Sequence, residues 1–192
     1  ICNASALHDI GKISIPSEVL NKPGRLTDEE FKIMKGHALE GARLLQDIPM
    51  RQNEPLIQLG YQICRWHHER FDGRGYPDGL KGDEIPIAAQ VVALADVYDA
   101  LTSKRVYKPA FSHEKAVEMI LNGECGVFNP VLMTCLKELS VSLRDELRQR
   151  SDAQNFQEEA LDVVEHMMDS GELDVSDRTL KLLEHERVKY QF

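Results

Sequence analysis

An all-α fold is what this sequence predicts, and three observations carry that reading. Apolar residues recur every three to four positions in several long stretches, capping residues stand at the head of those stretches, and no stretch alternates with the period of two that a half-buried strand requires. The sequence shows no internal repeat and no low-complexity tract. With 192 residues, 42% of them hydrophobic, the chain can bury one ordinary core and carry a short appended module.

Taken in order, the opening run ICNASAL has no initiator Met and no capping residue ahead of it, so the chain is expected to begin inside a helix, as a fragment of a longer protein. That helix ends near HDIGK. SIPSEVLNKPG, with two prolines and a Pro-Gly pair, predicts a loop holding at most one helical turn. A clear start follows in LTDEEFKIMKGHALEGARLL, where Thr27 and Glu30 fit a capping box and Phe31, Met34, Ala38, Ala42 and Leu45 fall on one helical face. Asn53 and Pro55 open the next helix, whose stripe Leu56, Leu59, Ile63 and Trp66 runs into His67 and His68 at its C-terminal end.

FDGRGYPDGLKGDEIP contains four glycines and two prolines, which precludes regular helix and predicts an ordered, tightly turned loop. IAAQVVALADVYDALTS then predicts a helix buried on most faces, with Asp96 and Asp99 embedded in it. Ser112 caps a short helix closed by Gly123, and Asn129 with Pro130 opens another that runs through LKELSVSLRDELRQR. Near Arg150 the charge content rises. The expected organisation is a core domain over residues 1–150 and an extension over 151–192, the latter with two more amphipathic helices separated around DSGELDVS. Their stripes are too short for an independent coiled coil, so they are expected to pack on the core domain, with a weaker contact to a second chain in a homodimer.

Composition narrows the function classes. No apolar run approaches the roughly 20 residues of a membrane span, and no signal peptide is present in this fragment, which predicts a cytoplasmic protein. Cys2, Cys64, Cys125 and Cys135 are scattered and form no C-x-x-C pair, so neither a disulfide framework nor a zinc knuckle is expected. A net charge of -9 disfavours duplex nucleic acid as a partner while leaving room for a small anionic ligand at a local basic site.

The chemistry is concentrated in a few residues. His8 and Asp9 stand together at the end of an apolar helix, a costly place for an imidazole and a carboxylate unless something pairs them. His37, the His67–His68 pair and Asp96 lie on separate helices near apolar faces, so a bundle core can bring their donors together. Imidazoles mixed with carboxylates suit divalent iron, manganese, nickel or zinc better than calcium or magnesium, which prefer oxygen. Successive helical residues point about 100° apart, so His8 with Asp9, or His67 with His68, share one ion only at its edge, and a cluster of two or more ions removes that difficulty. His113, His166 and His185 lie on polar or mixed stretches and read as surface residues. Glu69, Asp72 and Asp99 are expected to accept hydrogen bonds that orient the imidazoles.

The blocks LHDIGKISIP, LNKPGRLTDEEFKIMKGH, HHERFDGRGYPDGLKGDEIP and ADVYDALTSKRVYKPAFS, in this order, resemble the HD-GYP phosphodiesterases of the HD phosphohydrolase superfamily over roughly residues 1–135. The resemblance implies an HD-domain helical bundle with a C-terminal extension. It implies that His8, Asp9, His37, His67, His68 and Asp96 ligate metal, with Asp9 bridging two ions. It further implies two or three divalent transition metals, iron or manganese foremost and nickel or zinc as alternatives. Asp9 and Lys12 are then the catalytic residues, Lys12 adding positive charge beside the reacting phosphate, and Tyr76, Arg105 and Lys108 contact the substrate. The implied activity is hydrolysis of cyclic di-GMP to linear pGpG and onward to GMP. The competing reading is a non-catalytic receptor or interaction module with an incomplete metal site. Family members carry a further histidine, and in trinuclear forms a glutamate, ahead of the HD motif. Nothing before Ile1 supplies them here, so the sphere of His8, Asp9 and Asp96 is expected to lack a ligand. The same resemblance implies an upstream receiver, sensory or diguanylate cyclase domain.

Overall fold

The computed structural model describes residues 1–48, 53–103 and 110–169, with the side chains of 150–169 left aside. Among the described residues every regular element is helical: α1 (Cys2–Ser5), α2 (Ser17–Leu20), α3 (Asp28–Gln46), α4 (Pro55–Trp66), α5 (Ile87–Thr102), α6 (His113–Leu121) and α7 (Pro130–Asp169), with 3₁₀ turns at Ile10–Ser14 and Gly82–Glu84. The chain divides into two compact units, Ile1–Glu138 and Leu139–Phe192. All of the site chemistry described below belongs to the first.

α3 and α6 start where the capping residues stand, whereas α4 starts behind Glu54 rather than the expected Asn53, with no side-chain cap. Thr27 accepts from the Glu30 N–H while the Glu30 carboxylate accepts from the Thr27 N–H, completing the box at the head of α3. Pro55 begins α4, where its missing N–H costs nothing, and Ser112 caps α6 through the Lys115 N–H. Gly123 follows α6 in a left-handed conformation at φ 75°.

The core forms where α3, α4 and α5 face one another. Ala42, Leu45 and Cys64 pack with Leu7, Ile57 and Tyr61 between α3 and α4. Ala4, Ile63, Ala88 and Val92 join α1, α4 and α5. Phe31 and Leu56, expected on the apolar stripes, are instead 46% exposed, because each lies in the first turn of its helix, beyond the packed middle. One crossing needs glycine. The turn at Ile10–Ser14 lies so close on α3 that a Cβ at Gly11 would stand 2.0 Å from the His37 carbonyl oxygen and 2.4 Å from the Gly41 nitrogen.

α7 differs from expectation. It runs from Pro130 to Asp169 without interruption at the compositional change near Arg150, since charged residues do not end a helix and no Gly or Pro follows Pro130 before Asp169. The DSGELDVS separation and the last expected helix lie outside the described residues from 170 onward. No described helix is long and apolar enough to cross a membrane.

Candidate metal centre

α4 ends at Trp66, and its C-cap residue His67 and the next residue His68 turn their rings toward α3, where His37 is waiting. The ligand atoms of His37, His67 and His68 lie within 4.8 Å of one another. The His37 Nε2 is 3.1 Å from the His68 Nε2 and 3.4 Å from the His67 Nε2. His37 and His67 are each only 2% exposed.

The main chain orients three of the imidazoles. His8 Nδ1–H donates to the Ser5 carbonyl at 2.8 Å, His37 Nδ1–H to that of Met34 at 2.7 Å, and His67 Nδ1–H to those of Ile63 and Cys64 at 2.9 and 3.1 Å. A carbonyl only accepts, so in the neutral rings of His37 and His67 the proton sits on Nδ1 and Nε2 keeps its lone pair. Burial holds His37 below the ordinary imidazole range and pushes His67 down to about 4 and His68 down to about 2. Near neutral pH these three rings are therefore unprotonated bases. The bare Nε2 atoms of His37 and His67 face each other at hydrogen-bond distance with no proton to share. A cation satisfies such a set, and the donors present fit a divalent transition metal.

Asp9 stands between the two halves of the site. Its Oδ1 is 3.4 Å from His37 Nε2, and its Oδ2 is 3.2 Å from His8 Nε2. Asp96, on α5, approaches the same His8 Nε2 at 3.9 Å and is half-buried. Burial would raise the Asp9 carboxyl, but hydrogen bonds from His8 and Lys12, with their charges, hold it well below the usual carboxylate range. The same bond to Asp9 raises His8. Lys12 Nζ reaches Asp9 Oδ2 at 2.5 Å, one turn along the 3₁₀ segment.

Tyr76 stacks on His68, ring centroids 4.7 Å apart, and burial pushes its hydroxyl upward. Gly75 lets the loop lie on the end of α4, since a Cβ there would come within 2.4 Å of Glu69 Cα and of the Arg70 nitrogen. A cavity of about 480 Å³ opens over these residues, lined among others by His67, His68, Tyr76 and Asp96. Its size lies in the range of small-molecule sites.

The structure thus brings His8, Asp9, Lys12, His37, His67, His68, Asp96 and Tyr76 into one neighbourhood. Arg105 and Lys108 lie outside the described residues. The expected imidazole acceptors act elsewhere. Glu69 Oε1 accepts from the Asp78 and Gly79 N–H groups at 2.7 and 3.0 Å, Asp72 pairs with Arg74, and Asp99 accepts from Ser103. His113 is half-buried and hydrogen-bonds Tyr98 at 2.8 Å, away from the site. Sequence reasoning missed the clamp on Asp78, whose two oxygens take Arg65 Nε at 2.8 Å and Nη2 at 3.0 Å, with Trp66 Nε1–H also donating at 2.7 Å. A carboxylate that far from its partners along the chain gives no local signal.

The family model of the HD domain matches residues 2–126. A probable cyclic di-GMP phosphodiesterase of Vibrio cholerae is 48% identical over 132 residues, covering 68% of this chain and 30% of its own length. A cyclic di-GMP phosphodiesterase of Thermotoga maritima is 45% identical over 149 residues, 78% of this chain and 39% of its own. A 3'3'-cGAMP-specific phosphodiesterase of Vibrio cholerae is 42% identical over 138 residues, 72% of this chain and 26% of its own. The chain therefore spans about a third of the length of the curated relatives it matches.

Proposed function

The chain belongs to the HD domain family, and from that premise we propose that it is the catalytic domain of a metal-dependent phosphodiesterase acting on cyclic di-GMP. The observation that carries the reading is the donor set: the ligand atoms of His37, His67 and His68 gather within 4.8 Å of one another, and His37 shares Asp9 with His8. In this proposal Asp9, His37, His67 and His68 hold one ion, and His8, Asp9 and Asp96 hold another. The two oxygens of Asp9, each facing a different histidine, support a bridging role. Mixed imidazole and carboxylate donors suit divalent iron, manganese, nickel or zinc, and the resemblance to the HD-GYP phosphodiesterases puts iron or manganese foremost. When bound, such ions supply Lewis-acid charge at the phosphoryl oxygens and acidify water toward neutrality.

The chain's own residues do the rest. Lys12 holds Asp9 by its carboxylate and adds a positive charge where phosphate anions gather. Tyr76 covers His68 and offers an aromatic face to a nucleobase. Arg105 and Lys108 are assigned to phosphate oxygens, so replacing either by Ala is expected to weaken substrate binding by about tenfold or more, metal content unchanged. The relatives' names are those of phosphodiesterases, which favours turnover over a receptor role. An upstream regulatory domain fits the two thirds of the relatives' length that this chain leaves uncovered.

The test is chromatographic. Protein loaded anaerobically with iron or manganese is incubated with cyclic di-GMP and, separately, with 3'3'-cGAMP. Conversion of cyclic di-GMP to pGpG or GMP is expected, faster than conversion of the mixed dinucleotide. No product from either overturns the proposal.

A further inference from the structure

The cavity over the cluster contains a cation that neither the metal site nor the assigned substrate contacts use. Lys35 lies on α3, two residues before His37, and lines the same cavity as His68, Tyr76 and Asp96. Its ammonium stands 4.7 Å from the centroid of Phe31 and 5.3 Å from that of Tyr76. Lys12, Lys22 and Lys115 each reach a carboxylate at 2.5, 2.6 and 3.0 Å. Lys35 has no carboxylate within ion-pair distance among the described residues, and two aromatic rings hold it at the cavity wall.

The placement has chemical content. Lys12 sits at Asp9, on the cluster itself. Lys35 sits one ring further out, reached through His68 and then Tyr76. A cyclic dinucleotide has two phosphates separated across its ring by two riboses, so a phosphate at the cluster leaves the other needing a separate counter-charge. The chain is strongly acidic, at net -9, and an anion entering this cavity depends on local positive groups. Phe31, 46% exposed beside Lys35, adds an uncovered apolar ring to that same wall. A Lys ammonium on aromatic rings keeps its donors while losing little freedom, which suits a point contact to phosphate.

We propose that Lys35 binds the second, non-reacting phosphate of the cyclic dinucleotide, and so helps the domain distinguish its substrate from simple phosphodiesters. This rests on the phosphodiesterase reading above. Lys35→Met keeps the apolar stem against Phe31 and Tyr76 while removing the charge, and Lys35→Arg restores a charge. Both variants and the parent are loaded with manganese, their metal content is measured, and KM and kcat are determined on cyclic di-GMP and on bis(p-nitrophenyl) phosphate, which has one phosphate only.

Lys35→Met is expected to raise KM for cyclic di-GMP about tenfold more than KM for the simple diester, as loss of one charge-assisted hydrogen bond implies. Metal content should match the parent, and Lys35→Arg should recover most of the loss. An equal change on both substrates, an unchanged KM on the dinucleotide, or no recovery with Arg overturns the assignment of Lys35. If the parent turns over the simple diester and not cyclic di-GMP, the substrate is wrong and Lys35 falls with it. If the parent turns over neither, the phosphodiesterase reading itself fails.

Discussion

The histidine cluster and the Gly-Tyr-Pro loop touch through the stacked rings of His68 and Tyr76, yet they are held in place by opposite means. In the cluster, main-chain carbonyls of Ser5, Met34, Ile63 and Cys64 fix the rings of His8, His37 and His67. In the loop, two carboxylates do the work: Glu69 takes the N–H groups of Asp78 and Gly79, and Asp78 is clamped by Arg65 and Trp66. No side-chain substitution removes a main-chain acceptor, whereas one substitution can release the loop. Among substitutions of the surrounding side chains, the cluster should therefore fail when a donor is lost, and the loop should fail when its supports are lost.

The largest effect is expected from Asp9→Ala. It should abolish phosphodiester hydrolysis and remove more than one equivalent of metal, whereas His37→Ala should remove less, as measured by elemental analysis of both proteins. Equal metal loss would contradict the bridging role of Asp9. It would also erase the distinction between a donor serving both halves of the cluster and one serving a single half.

Next is Glu69→Ala. It strands two loop N–H groups and should lower stability by about 2–6 kcal/mol, at about 1–3 kcal/mol for each unsatisfied donor. KM should rise while metal content holds, because no imidazole depends on Glu69. Glu69→Gln retains a carbonyl acceptor and should recover much of the loss. Metal loss in Glu69→Ala would show that loop and cluster are not separately held.

The smallest effect is expected from Asp78→Asn. The Arg65 pair is partly exposed and the Trp66 bond has an acceptor to keep, so about 1 kcal/mol or less should be lost. A thermal melt and a KM measurement check this, and a fall as large as that of Glu69→Ala would make the clamp the main support of the loop.

What the sequence makes legible follows the same division. The cluster is readable because its donors stand in motifs, on α3 and α5 and in the turns after α1 and α4, and the Thr27–Glu30 box and the His67–His68 pair at the end of α4 fall where the pattern places them. The loop is readable only as a loop. Glu69 stands next to two histidines and looks like a partner for them. The chain folds back instead, and brings two N–H groups from nine and ten residues further on. The course of α7 through Arg150 was hidden for another reason, since a change of charge alters solvation without supplying a helix breaker.

The close passage of Gly11 over Gly41 carries a consequence for anyone altering this domain. It sets the spacing between the HD turn and the helix that presents His37, with main chain against main chain and no side chain to absorb an error. A library that varies only the metal donors leaves that spacing unchanged. A library that admits even a methyl group at position 11 re-spaces the donors, and its inactive members would be misread as evidence about ligands none of them had lost.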